Sequence, residues 1–228
     1  MVIQKEKIHK IHRMKYKACL FDLDGVLVDT AIYHFQAWKN LGANFGYILT
    51  EAQNEQLKGV SRVASLDRIL AWANKEATQE QKNAWLIEKN DHYLQLISHM
   101  NPGEILPGVL LFLEDIQKLG YRIALGSASK NAQIILEKTG LATYFDAIID
   151  GNHVSKSKPD PEVFLKGAEA LQLPPETCIV FEDAEAGVEA AKRAGMMAIG
   201  IGDAHVLHQA DKIIPNFTGV LASDLLKF

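Results

Sequence analysis

The chain is predicted to fold as α/β, a doubly wound parallel-sheet core with a helical cap domain inserted after the first strand. Three observations predict this. Beyond residue 102, strand-length apolar runs alternate with amphipathic helical segments, the pattern of parallel βα units covered on both faces. Residues 50–99 read as helix after helix with no strand signal between them. A short apolar run near the N-terminus ends in Phe21-Asp22-Leu23-Asp24-Gly25, which places one strand ahead of the helical block.

That first strand is Lys17-Ala18-Cys19-Leu20. On a strand, Asp22 and Asp24 would point to one face about 7 Å apart, and Gly25 would allow a sharp turn after them. Ile32, Phe35, Trp38 and Leu41 recur at helical spacing, so 31–41 is predicted helical, with Thr30 or Asp29 as its cap. In 50–99, Leu57, Leu66, Ile69, Leu70 and Trp72 form one apolar set, and Trp85, Leu86, Tyr93, Leu94 and Ile97 another. Asn101-Pro102-Gly103 through Pro107-Gly108 is a turn-rich boundary.

Beyond it the expected order is helix 109–119, strand 121–126, helix 131–139 and strand 147–149. Helix 161–171 follows, with proline in its first turn, and then strand 178–181, helix 184–194 and strand 198–201. The core therefore comprises 14–29 and 102–228, the cap 30–101, and residues 1–13 an extension.

At 228 residues and 48% hydrophobic, the chain has material for one good core and a smaller appended unit. A net charge of −4 leaves no general electrostatic footprint for nucleic acid. No apolar run reaches membrane-spanning length, and the basic 1–13 segment lacks the continuous apolar stretch of a secretory signal. Cys19 and Cys178 lie in strand-like runs and read as buried free thiols rather than a disulfide. The expectation is a cytoplasmic monomer with neither nucleic-acid nor membrane partners.

In open α/β sheets, ligands bind beyond the carboxyl ends of the strands. Those ends carry Asp22 and Asp24, Ser127, Lys158 and Glu182-Asp183. Like charges so close disfavour each other, and an all-oxygen acidic set suits a hard cation such as Mg2+. Beside a metal-held phosphate, Asp22 can attack phosphorus and form an aspartyl-phosphate. Asp24 can donate a proton to the leaving oxygen and take one from the incoming hydroxyl. Ser127 and Lys158 are placed to meet the charge on the transferring group, and Pro159 and Pro161 stiffen the backbone that aims the lysine. Singly, each part has a plainer reading: Glu182-Asp183 as a helix cap, Ser127 as a turn cap, Lys158 as a solvated lysine. The sequence contains no phosphate-binding P-loop, dinucleotide glycine fingerprint or serine-nucleophile elbow.

Asp-Leu-Asp-Gly-Val, Ser127, Lys158-Pro and Glu182-Asp183, in that order on alternating α/β, resemble the haloacid dehalogenase superfamily. The resemblance implies Asp22 as phosphorylated nucleophile and Asp24 as acid/base. It implies Mg2+ held by Asp22, the Asp24 backbone carbonyl and Asp183, with Glu182 in or beside the shell.

Thr30, His34-Phe35-Gln36-Ala37-Trp38, the run from Asn54 to Arg62, and Ser127-Ala128-Ser129-Lys130-Asn131 resemble the β-phosphoglucomutase subfamily. That resemblance implies interconversion of β-glucose 1-phosphate and glucose 6-phosphate, with glucose 1,6-bisphosphate as phosphoryl primer. Thr30, Lys58, Gly59, Val60, Arg62, Ala128, Ser129, Lys130 and Asn131 would then contact a small phosphosugar, Arg62 holding the phosphate that is not transferred. His34 would couple cap closure to Asp24, with Lys89 as its partner. A sugar-phosphate phosphatase using the same aspartyl-phosphate is the alternative. Taken by spacing alone, His34 reads as an ordinary helix histidine, and Lys58 and Arg62 as a solvated helix end. Gly126 stands where relatives often carry alanine, and Ala184 where serine is common.

Overall fold

Four consecutive buried residues, Ala18–Phe21, form β1 in the middle of the sheet. A strand covered on both faces needs a continuous apolar run, and Ala-Cys-Leu-Phe is one. The structure, a computed structural model, describes residues 15–58 and 60–227. The expected extension 1–13 and Gly59 lie outside the described residues.

β1 pairs in parallel with β2 (Arg122–Gly126) on one side and β4 (Cys178–Glu182) on the other. β3 (Ala147–Ile149) lies beyond β2, and β5 (Met197–Ile201) and β6 (Lys212–Ile214) beyond β4, giving the parallel order β3-β2-β1-β4-β5-β6. Strand order reverses at β1, so β1, β2 and β4 end side by side at a topological switch point.

Alternate residues of β1 serve opposite faces. Cys19 and Phe21 join one core cluster with Phe112 and Phe181, and Ala18 and Leu20 join another with Phe164 and Val188. The Phe21 and Phe181 rings stack with centroids 4.6 Å apart. Gly126 ends β2 because the Phe164 ring lies against it: a Cβ there would stand 2.8 Å from that ring. Cys19 and Cys178 are free and buried.

The cap consists of α1 (Ala31–Ala43), α2 (Glu51–Glu55), α3 (Arg62–Trp72) and α4 (Gln79–Ile97). Thr50 and Thr78 open α2 and α4 with capping boxes closed by Gln53 and Gln81, and Ser61 caps α3. The expected side-chain cap at α1 is absent: Thr30 takes the N-cap position, but its fully buried side chain makes no cap hydrogen bond. Of the second apolar set, Trp85 and Leu86 pack in the cap's own cluster around Trp38, Leu66 and Ile69, whereas Tyr93 and Ile97 join the core. With 19 residues, α4 is about 28 Å long and serves both layers. The two linkers are tied together, Val28 bridging Ile105 and Leu106 N donating to Leu27 O at 3.0 Å.

In the core, α5 (Val109–Leu119), α6 (Ala132–Thr139), α7 (Glu162–Ala170), α8 (Glu185–Arg193) and the short α9 (Ala222–Leu225) cover the sheet. Pro161 occupies the N-cap of α7 rather than its first turn. The sequence reading missed β6 and α9, which are too short, at three and four residues, to show a period. Among the described residues, no helix is long and apolar enough to cross a membrane.

Candidate active site

Asp22 and Asp24 are not strand residues. β1 stops at Phe21, and Asp22 N still bonds Phe181 O at 3.0 Å, so the carboxyl end of the central strands fixes where Asp22 stands. The chain then turns, Gly25 N closing on Val28 O at 2.8 Å. Gly25 has φ +80°, and a Cβ there would lie 2.0 Å from Asp183 Oδ2. Only glycine combines that backbone with so close a carboxylate.

β4 delivers Glu182 as its last residue, with Asp183 next. One carboxylate oxygen from each of Asp22, Glu182 and Asp183 falls within a 4.8 Å cluster. Lys158, in the loop after β3, reaches in and donates to Asp22 Oδ1 at 2.5 Å and Glu182 Oε1 at 2.9 Å. The Lys158–Pro159 peptide is cis. Glu182 Oε2 accepts from the amides of Asp183 and Ala184, at 2.7 and 3.2 Å. Ser127 is fully buried just beyond β2 and accepts from Ser129 N at 3.1 Å.

The cap faces this cluster across a cavity of about 430 Å³. Asp22, Asp24, Ser127, Ala128, Ser129, Lys130, Lys158 and Asp183 line its core side, and His34, Lys58, Val60, Arg62 and Lys89 its cap side. Lys89 is 2% exposed and lies 4.8 Å over the Trp38 ring and 4.5 Å over the Tyr93 ring. Its ammonium donates to His34 Nδ1 at 2.8 Å, and the His34 ring stacks on Tyr93 at 4.1 Å.

Residues 16–195 match the family model of haloacid dehalogenase-like hydrolases. The chain belongs to that family. It is 40% identical to a β-phosphoglucomutase of Bacillus subtilis (strain 168) over 200 residues, 87% of this chain and 88% of that one. It is 31% identical to a phosphorylated carbohydrates phosphatase of Thermotoga maritima, over 87% of this chain and 90% of that one. The crystal structure of a β-phosphoglucomutase from Clostridium difficile matches with a TM-score of 0.89 at 39% identity, covering 92% of this chain and 95% of that one.

The electrostatics of this haloacid dehalogenase-family site follow from its burial. Burial pushes the Asp22 carboxyl up to about 6, against the pull of Lys158 and with a further push from Glu182. Burial, then Asp22, pushes Asp24 up to about 8. Asp183 is pushed well above the usual carboxylate range by burial, then by Glu182 and Asp22. Burial opposes the charge on Lys158, but Asp22 and Glu182 outweigh it and hold its pKa above the ordinary lysine value. On the cap side the sign reverses. Burial, then Lys89 and Arg62, hold His34 well below its usual value, so its imidazole is neutral and Nδ1 is free to accept. Burial, then Arg62, brings Lys89 down to about 7.

The acidic cluster suits a hard divalent ion. Its donors are all oxygen, and Lys158 supplies one positive charge against three carboxylates.

Among the expected residues, Thr30, Asn131 and Glu182 stand behind the cavity wall rather than on it. Residues the sequence reading missed include Trp38, Ser65 and Lys156, which line the cavity. Glu162 is another: its carboxylate takes Ser155 N at 2.9 Å and Lys156 N at 2.8 Å, fastening the loop that carries Lys158. Gly187 is a fifth, for a Cβ there would meet Glu182 Oε1 at 1.5 Å. A glycine or a helix glutamate carries no local signal of such a contact, which only the folded packing creates.

Proposed function

We propose that the chain is a Mg2+-dependent isomerase. It interconverts β-D-glucose 1-phosphate and D-glucose 6-phosphate through β-glucose 1,6-bisphosphate and an aspartyl-phosphate on Asp22. The observation that carries this reading is the cavity between core and cap, lined by the acids and Lys158 from the core and by Arg62 from the cap. A sugar phosphorylated at both ends needs two anion sites, and a guanidinium suits phosphate as a planar fork. The similarity to β-phosphoglucomutases supports the same reading.

Asp22 attacks the phosphorus, the bond to the sugar oxygen breaks, and Asp24 gives that oxygen its proton. In the return direction Asp24 takes the proton of an incoming sugar hydroxyl as the phosphoryl group leaves Asp22. A carboxyl pushed up to about 8 holds its proton near neutral pH, the state a donor needs. Lys158 and Ser127 hold the transferring phosphoryl oxygens. Bound Mg2+ would supply positive charge to that group, held by Asp22, the Asp24 backbone carbonyl and Asp183, with Glu182 beside the ion.

Arg62 grips the far phosphate from the cap and Lys58 contacts the phosphosugar, with Gly59 and Val60 against the sugar and Thr30 behind it. Ala128, Ser129 and Lys130 take the sugar from the core, with Asn131 behind them. The His34–Lys89 pair couples the position of the cap (30–101) to Asp24 in the core (14–29 and 102–228). A closed cap keeps water from the phosphoenzyme, so the group passes to sugar. Glucose 1,6-bisphosphate primes the cycle, and the protein works as a cytoplasmic monomer.

A coupled assay of β- and α-glucose 1-phosphate, with and without glucose 1,6-bisphosphate, tests this. Turnover confined to the β anomer and dependent on the bisphosphate is expected. The similarity to the Thermotoga maritima phosphatase favours a second reading, a sugar-phosphate phosphatase. Fast release of inorganic phosphate without isomer would select it.

A further inference from the structure

α4 makes two different contacts from two consecutive residues. Lys89 donates to His34 on α1, within the cap, at 2.8 Å. Asn90 Oδ1 accepts from Asn131 Nδ2, in the core, at 3.0 Å. Successive helix residues point about 100° apart, so one turn of α4 spans both neighbours.

Asn131 is 7% exposed and sits at the N-cap of α6, at the end of a ladder of local bonds. Ser129 N donates to Ser127 Oγ at 3.1 Å, and Asn131 N donates to Ser129 Oγ at 3.3 Å. The 127–131 loop is therefore held by its own side chains and by the adjacent 149–152 segment, where Ser127 N donates to Ile149 O at 3.0 Å, Gly151 N to Ser129 O at 3.2 Å and Asn152 Nδ2 to Lys130 O at 2.9 Å, whereas the Asn131 side-chain amide is held from the cap. A buried amide held by one acceptor turns when that acceptor moves, because leaving its N–H unpaired costs about 1–3 kcal/mol.

We infer that Asn90 is a positioning residue. It orients the Asn131 amide and registers the cap against the core loop that receives the phosphosugar. This rests on the mutase reading above, in which 127–131 binds the phosphosugar. Asn90 itself does not line the cavity, and acts through Asn131.

The test is a double-mutant cycle on the full chain, following isomer formation and phosphate release from β-glucose 1-phosphate with bisphosphate present. N90A is expected to raise KM about fivefold while kcat changes less than about twofold, and to divert a larger share of turnover to free phosphate. N90Q, which misplaces the same acceptor, shows the same KM rise. In an N131A background N90A is expected to add nothing, because the contact is already gone. A merely structural role would lower stability without moving the ratio of isomer to free phosphate. Unchanged KM and ratio in both N90A and N90Q, or full additivity with N131A, overturns the inference while the reading stands. A parent chain that forms no isomer overturns the reading, and this inference with it.

Discussion

Lys89 donates to the His34 imidazole at 2.8 Å, and among the described residues no carboxylate lies within salt-bridge distance of this buried lysine. The charge is instead shared with two aromatic faces, Trp38 and Tyr93. Burial first, and Arg62 next, bring its pKa from 10.5 down to about 7. Between those values the unfolded chain binds more protons than the folded one, so stability rises with pH across that window. Stability is full above 10.5 and is lost as pH falls through about 7. K89M removes this dependence. Urea unfolding of parent and variant should differ by about 2 kcal/mol more at about pH 7 than at about pH 9. Parallel pH profiles would contradict the assignment.

Magnesium should stabilise the protein, and more so at higher pH. Burial, then Asp22, raise the Asp24 pKa from 3.8 to about 8 in the metal-free protein. The folded state thus binds more protons between those values. Its stability is fully present below 3.8 and falls as pH rises through about 8. A bound divalent ion meets the exposed cost of ionised acids. At roughly 100-fold excess over Kd, Mg2+ should add about 2.7 kcal/mol, more at about pH 8 than at about pH 5. Thermal melts with Mg2+ and with EDTA read this directly. An increment that shrinks as pH rises would oppose it.

Arg62→Ala should cut kcat/KM for β-glucose 1-phosphate about 30-fold, the loss expected of a charge-assisted phosphate contact worth about 2 kcal/mol. Phosphoryl release from acetyl phosphate, which has no second phosphate, should change little. Equal losses on both substrates would place Arg62 outside the far anion site.

Gly187→Ala should be severe for so small a change. The added carbon would overlap Glu182 Oε1, push that carboxylate off Lys158 and leave a buried charge short of its partner. The expected cost is about 3 kcal/mol or more, with turnover falling in step. A urea midpoint equal to the parent's would show that α8 yields instead.

What could be read from the sequence was whatever a short window contains. β1 and β4 are apolar runs that lead straight into the acids, and β2 leads into Ser127, so the meeting of these residues at the carboxyl end of the sheet follows from parallel topology alone. Strand spacing does not extend past Phe21, where the chain already turns toward Gly25, yet Asp22 and Asp24 still line the same cavity. Glu162, Gly187 and Asn90 were illegible because each matters through one contact made by folding. Thr30 looked like a helix cap because residue type predicts capping only where the side chain is free to fold back, and here it is fully buried.

The measurement that bears most directly on the account is the intact mass of the protein, acid-quenched after incubation with acetyl phosphate and Mg2+. The account predicts one added phosphoryl group, removed by hydroxylamine as an acyl phosphate and absent from Asp22→Asn. An adduct that persists in that variant, or a parent protein that never acquires one while still turning over sugar phosphate, would contradict it.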